Sequence, residues 1–286
     1  MKALIFGGGG QLGRAIAAAA GPGEETVGLS HDDCDIGDAA EVAEALRRHA
    51  PDIVFNAAAL TAVDAQEETP EEAMRINGAA PGHIAAACKA AGARLLHVST
   101  DFVFDGEKGS PYQPSDPTGP ASVYGESKLA GERAVQSAFP EAAIVRTAWV
   151  YAAEGGNFVN TMLRLMAERD ELGVVADQIG TPTHAASLAR ALWALARAGA
   201  SGIHHFTDAG VAGWYDFAVA IEEEGRALGL HGGCRVRPIR TEDYPTPAAR
   251  PAYSVLDKSA TWALTGTPDH WRAELRKMLA KKKALS

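Results

Sequence analysis

Lys2-Ala-Leu-Ile-Phe6-Gly7-Gly8-Gly9-Gly10-Gln11-Leu12-Gly13-Arg14 is the stretch on which the fold turns. A short apolar run stops at four consecutive glycines, and an alanine-rich, helix-forming run continues to Ala20. Strand, glycine turn and helix in that order are the context a dinucleotide-binding fingerprint requires. The glycines let the backbone turn tightly and approach a pyrophosphate, whose charge then lies at the positive N-terminus of the helix. Two registers fit, Gly8-x-Gly10-x-x-Gly13 and Gly7-x-x-Gly10-x-x-Gly13, and the plainer alternative is a glycine-rich strand-to-helix turn without a ligand.

Outward from this turn the pattern repeats. Residues 25–29 read as a second strand, 41–49 as a helix, and 51–59 as a third strand ending in the small residues Ala57, Ala58 and Ala59. Small side chains there either let an adenosine lie close to the sheet or serve ordinary strand–helix packing. Where many NAD sites carry an acid for the adenosine ribose, this chain has Ser30-His31, with Asp32 and Asp33 following as loop carboxylates. Nothing at the strand end then repels a 2′-phosphate, so NADPH is expected, with NADH as the other candidate. A helix over 70–91 leads to a fourth strand, 94–99, ending in Thr100-Asp101 at the carboxyl edge where ligands collect in open α/β sheets. The Thr100 hydroxyl there either donates to a substrate carbonyl or caps its own turn. This alternation predicts an α/β fold, a doubly wound, Rossmann-like parallel sheet over residues 1–150.

The Pro/Gly-rich stretch 105–120 feeds a segment with helical character that carries Tyr124-Gly-Glu-Ser-Lys128. Four residues is just over one helical turn, so phenol and ammonium leave the same face. A cation beside a phenol favours the phenolate and lowers its pKa from about 10, which makes an acid suited to neutral pH. The second half is less regular: helices over 157–169, 185–198, 215–228 and 271–282, and strands over 172–176 and 202–206. It is read mainly as a smaller α/β substrate lobe, 151–286, with no sharp linker. Trp149 either stacks on a sugar or base or belongs to the core. Arg250, between prolines in a loop, meets either a diphosphate or a nearby acid.

Composition excludes several classes. Apolar residues make up 47% and charged residues 22% of 286, ordinary globular usage, and the net charge of −9 argues against a nucleic-acid binder. No apolar run reaches the ~18 residues of a membrane span, and Lys281-Lys282-Lys283 reads as a solvated tail. Cys34, Cys88 and Cys234, odd in number and widely spaced, fit a reduced, cytoplasmic setting. His204-His205 alternate across a strand and the nine histidines show no ligand spacing, so no metal site is assigned.

Gly7-x-x-Gly10-x-x-Gly13, Asn56-Ala-Ala-Ala59, Ser99-Thr100-Asp101 and Tyr124-x-x-x-Lys128 together resemble the extended short-chain dehydrogenase/reductase superfamily. More narrowly, several stretches are similar to the dTDP-4-dehydrorhamnose reductase family: Asn56 to Asp64, Ser99-Thr-Asp-Phe-Val-Phe-Asp-Gly106, Arg146-Thr-Ala-Trp-Val-Tyr151, Asp177 to Thr183 and Tyr244 to Pro251. The resemblance implies reduction of the C4 ketone of a dTDP-linked 4-dehydro-6-deoxy sugar, with Thr100, Tyr124 and Lys128 as the catalytic triad. It further implies Gly10, Gln11, Leu12, Asp35, Ile36, Ala59 and Thr61 around the cofactor, and Thr100, Asp101 and Trp149 near the sugar. Leu60 and Phe102 stand where members often carry histidine and tyrosine, so contacts made by those rings are lost. Some members bind magnesium at a subunit interface through an acid just after the glycine loop. Arg14-Ala15 offers none, which leaves magnesium doubtful and a homodimer open. Two alternatives stay in view: a ketoreductase for another nucleotide sugar, and a non-catalytic subunit resembling the regulatory subunit of methionine adenosyltransferase.

Overall fold

In the computed structural model, which describes residues 1–285, the chain opens with β1 (Lys2–Phe6), α1 (Gln11–Ala18), β2 (Glu25–Leu29), α2 (Ala39–His49) and β3 (Ile53–Asn56). Three of the longer helices start at a side-chain cap, Asp38 for α2, Ser122 and Asn157 for later ones. Asp38, for example, caps α2 by accepting the Ala40 amide at 2.7 Å. Short helices α3 (Val63–Gln66) and α4 (Pro70–Ala73) run into a π-helical turn, Met74–Ala79, and then α5 (Ala80–Ala91). The helix expected in one piece over 70–91 therefore carries a wide turn. That turn presents buried Asn77 to the loop after β3, where it binds Leu60 through both N–H (2.9 Å) and C=O (3.0 Å). Next come β4 (Arg94–Thr100), a 3-10 turn at Asp101–Val103, α6 (Val123–Ala138) and β5 (Ala143–Thr147).

The remaining elements are β6 (Val150–Tyr151), α7 (Phe158–Glu168), β7 (Glu171–Val175), β8 (Ile179–Gly180), β9 (Thr183–His184), α8 (Ala185–Arg197) and β10 (Gly202–His205). After them follow β11 (Ala212–Gly213), α9 (Trp214–Ala227), β12 (Arg235–Ile239), α10 (Ser259–Thr265) and α11 (Trp271–Leu285). Six strands form one sheet in the order β10-β5-β4-β3-β1-β2, every pair parallel. The order reverses between β1 and β3, and ligands of open α/β sheets bind at the carboxyl ends beside such a reversal. Both faces are covered. Leu4, Phe6, Val54 and Leu95 pack under α2 and α5, while Ala3, Ile5, Phe55 and Leu96 pack under α1 and α8.

The layout corrects the expected division of the chain in one respect. α8 and β10, expected within the second half, lie in the sheet layer: Ile203 pairs with Ile144, and Trp193 donates its indole N–H to Ile16 O at 2.9 Å. The physical cause is the second face of the sheet, which α1 alone is too short to cover. Leu188, Leu192, Trp193 and Leu195 supply the missing apolar surface. What remains of the second half has its own core, Val159, Leu163, Met166, Phe217, Ile221, Leu275 and Met278, between α7, α9 and α11. No described helix is long and apolar enough to cross a membrane, and all three cysteines are buried free thiols.

Candidate active site

The glycine turn fits a phosphate cradle. Gly7 has φ +78°, and a Cβ on it would lie 2.7 Å from Ala58 N; one on Gly13 would lie 2.2 Å from Gly7 O. Neither position admits a side chain. Gly10 precedes α1 in extended conformation with no side-chain cap, so the first amides of the helix are open to an anion. Of the expected cofactor residues, Gly7, Gly10, Leu12, Gly13, Ala58 and Ala59 gather at the carboxyl ends of β1 and β3, and Thr61 is exposed just beyond. Gln11 is turned away: Nε2 donates to Gly156 O and Oε1 accepts from Asn157, both at 2.8 Å. Ile36 is in the core. Asp35 binds the Gly37 amide and Arg75, each at 2.9 Å, and these two partners hold its carboxyl below the usual range.

The end of β2 differs from the expectation of a strand end without an acid. Asp33 folds back and accepts from both Ser30 Oγ (2.6 Å) and Ser30 N (2.8 Å). A carboxylate is therefore present there, delivered three residues late by a turn that Ser30 nucleates.

Thr100 and Asp101 close β4, and α6 brings Tyr124 and Lys128 against them. Ser122 caps α6 through the Gly125 amide at 3.2 Å. Gly125 is required because a Cβ would meet Phe102 O at 2.3 Å. The Tyr124 hydroxyl meets the Thr100 side chain, and its ring stands edge-on to Phe102, centroids 5.5 Å apart. Thr100 also caps its own turn, accepting the Phe102 amide at 3.2 Å and donating to Asp101 Oδ1 at 3.1 Å. Asp101 is 1% exposed, and its Oδ2 makes no hydrogen bond among the described residues. Burial pushes Asp101 up to about 6, against the nearby Ser254 and Thr100 hydroxyls.

One expectation is overturned here. Tyr124 is not made more acidic by Lys128: burial pushes the phenol up to about 12, Thr100 eases it down, and the Asp101 charge raises it further. Lys128 is buried, its ammonium donates to Val98 O at 2.8 Å, and burial lowers it to about 8. The lysine is thus directed to the strand backbone rather than to the phenol.

Trp149 lies two residues past Thr147, the β5 partner of Thr100. Its φ of +47° is rare for a bulky residue. The indole stacks on Trp214 with centroids 3.5 Å apart and planes at 10°, and a Cβ on Gly180 would lie 2.7 Å from it. These neighbours offset a backbone cost of about 1–3 kcal/mol. Trp214, one residue outside the helix expected over 215–228 and without any other signal, is what holds Trp149. Trp214→Ala is expected to cost on the order of 2 kcal/mol, less than a fully buried tryptophan would. It should also abolish the exciton signal of the stacked indoles in circular dichroism; an intact signal would refute the stack.

Arg250 takes the second of its two readings, though its partner is distant in sequence. Its guanidinium holds Asp64 bidentately at 2.7 and 2.8 Å, and Ala248 N adds a third bond to the same carboxylate at 3.2 Å. Asp64 lies in α3, just after the loop that follows β3. The Asp64–Arg250 and Gln11–Asn157 contacts therefore join the sheet layer to the C-terminal part of the chain at two points.

A glycine cradle at the sheet reversal with a tyrosine and a buried lysine two strands away defines a nucleotide-dependent oxidoreductase of the Rossmann kind. Comparison with known proteins narrows the class. The model of the RmlD substrate binding domain family matches residues 1–284. The dTDP-4-dehydrorhamnose reductase of Mycobacterium tuberculosis is 47% identical, the match covering 98% of this chain and 92% of the relative. The Escherichia coli K12 enzyme of the same name is 41% identical over 98% and 97%. The structure of the Bacillus anthracis enzyme in complex with NADP superposes with a TM-score of 0.92 at 33% identity, covering 98% and 99% of the two chains. The chain belongs to the dTDP-4-dehydrorhamnose reductase family.

Proposed function

We propose that this protein uses NADPH to reduce the C4 ketone of dTDP-4-dehydro-6-deoxy-L-mannose, giving dTDP-L-rhamnose. The observation that carries the reading is the meeting of Tyr124 with Thr100 at the carboxyl end of β4, two strands from a turn in which Gly7 and Gly13 admit no side chain. When bound, the reduced nicotinamide supplies a hydride to the ketone carbon. The protein does the rest. The Gly7 to Gly13 turn, with Gln11 and Leu12 at the head of α1, binds pyrophosphate through backbone amides. Ala58, Ala59 and Thr61 line the adenosine side, with Asp35 and the Ile36 backbone beyond. Lys128 donates to the nicotinamide ribose. Tyr124 donates to the ketone oxygen as negative charge develops there and passes its proton to it, and Thr100 supplies a second donor by turning its one hydroxyl hydrogen from Asp101 to that oxygen. A phenol pushed up to about 12 stays protonated throughout the neutral range, ready as an acid. Asp101, buried behind Thr100, backs the sugar side of the site, Trp149 walls the sugar, and Arg250 borders the diphosphate while paired with Asp64.

Oxidation of NADPH, followed by its absorbance while the sugar nucleotide is made in situ by upstream enzymes, tests the reading. Because Asp33 returns a carboxylate to the end of β2, NADH is also expected to work. The kcat/KM ratio should favour NADPH, and Asp33→Asn should raise that ratio about three- to tenfold by removing a charge that repels the 2′-phosphate. Tight nucleotide binding with no oxidation would instead point to another sugar nucleotide or to a non-catalytic subunit.

A further inference from the structure

Tyr124, Lys128 and Glu132 stand at successive four-residue steps of α6 and share the face that meets the end of β4. Glu132 has no place in the chemistry described above, yet it is 1% exposed and fully engaged. Its Oε1 accepts from Ser99 Oγ at 2.5 Å and from Arg146 Nε at 2.9 Å, and its Oε2 accepts from Arg146 Nη2 at 2.7 Å. Arg146, 2% exposed, is held in turn by Pro114 O at 3.3 Å and lies over the Phe104 ring at 5.0 Å. One carboxylate thus ties α6 to β4 through Ser99 and to β5 through Arg146, one residue short of Thr100.

Lys128 needs what Glu132 offers. It is a buried ammonium with three donors, of which one is engaged, at the neutral Val98 carbonyl. Such a charge is costly without a counter-ion. The titratable and charged groups around it are few. Glu132 lies one turn along α6 and His97 on β4 feels the Lys128 charge, while Tyr124 stands one turn earlier on α6 and Asp101, Arg146 and His205 lie on the neighbouring turn after β4, on β5 and on β10. His97 is held neutral by burial and by Lys128 itself, and His205 is lowered to about 3 by burial and Arg146. Arg146 carries the same sign as Lys128, and the Asp101 charge falls on Tyr124. The anion whose charge reaches Lys128 is Glu132.

We propose that Glu132 is a positioning residue of this reductase: its bonds to Ser99 and Arg146 fix the register of α6 against β4, and its charge, one helical turn behind Lys128, keeps that side chain an ammonium at the nicotinamide ribose. The proposal rests on the reductase reading above.

The test compares the full-length wild-type chain with Glu132→Gln, reading kcat/KM for NADPH from about pH 6 to about pH 10, the span across which a lysine lowered by burial titrates. In the wild type the rate holds below about pH 8 and falls as Lys128 loses its proton. In Glu132→Gln the falling limb moves to lower pH by about one unit, so the deficit grows to about tenfold on the alkaline side. NADPH binding, read without sugar by quenching of tryptophan fluorescence, shows the same displacement. Glu132→Asp, which keeps the charge, returns the limb towards its wild-type position. Should Glu132→Gln fold poorly because Arg146 is left unpaired, Glu132→Gln with Arg146→Met removes both buried charges, and the limb moves the same way but by less, because a like charge leaves with the anion. A limb that stays in place in these charge-removing variants, or a loss uniform across pH, overturns the proposal and leaves Glu132 as scaffolding. A wild-type protein that binds NADPH but does not oxidise it fails the reductase reading instead, and the binding limb still reports on Glu132.

Discussion

Tyr124→Phe is expected to lower kcat for ketone reduction by about 10²- to 10⁴-fold, the usual worth of a general acid, while NADPH affinity stays within about threefold. The substitution removes one oxygen. The ring keeps its edge-on contact with Phe102, and α6 keeps its cap at Ser122 and its bond from Lys128 to Val98. What is lost is the proton held in a phenol that burial keeps protonated at neutral pH. Single-turnover measurement with saturating sugar nucleotide isolates that step from binding. Turnover within tenfold of wild type would remove Tyr124 from the acid role.

Lys128→Met is expected to act on both binding and rate, with NADPH affinity falling about 10- to 100-fold through lost charge-assisted hydrogen bonds and kcat falling as well. It should also do something a merely structural lysine would not. Burial lowers Lys128 from 10.5 to about 8, which disfavours the folded state by on the order of 3 kcal/mol. The sign follows from the direction of the shift. The penalty is complete below about pH 8, where folded and unfolded chains both hold the proton, and fades as pH rises toward 10.5. Methionine removes the penalty and leaves only the Val98 carbonyl without its donor. The variant's Tm at neutral pH should therefore rise by roughly 2–5 °C, an advantage that shrinks toward pH 10.5. A lower Tm at neutral pH would mean that the ammonium is better compensated than its surroundings indicate.

The parts of the fold and site that the sequence made legible are those where a local rule acts alone. The strand–glycine–helix start, strands two to four and the tyrosine–lysine helix all carry their own periodicity or turn chemistry. β5 was not singled out, because Ala143–Thr147 is short and includes Arg146, whose burial is explained only by Glu132 on a different element. β10 was legible as a strand but not as a member of the main sheet, since its pairing with β5 depends on a contact across some sixty residues of chain. The π turn at Met74–Ala79 had no signal of its own; it follows from Asn77 reaching Leu60. Within the site, residue identities were readable while charge states were not. The Tyr124–Lys128 spacing is compatible with an ammonium facing the phenol or the strand, and burial decided for the strand.

The outermost strand of the sheet has a consequence for how the protein is made. β10 spans Gly202–His205, whereas its neighbour β5 ends at Thr147. At about 5–20 residues per second of synthesis, β5 leaves the ribosome several seconds before the strand that covers it. Through that interval a nascent chain displays an unpaired, apolar parallel edge of Ala143, Ile144 and Val145. The same holds for the α1 face that waits for α8. A translating ribosome stalled between these two points therefore exposes a sticky intermediate, and chaperone capture should concentrate on chains of that length.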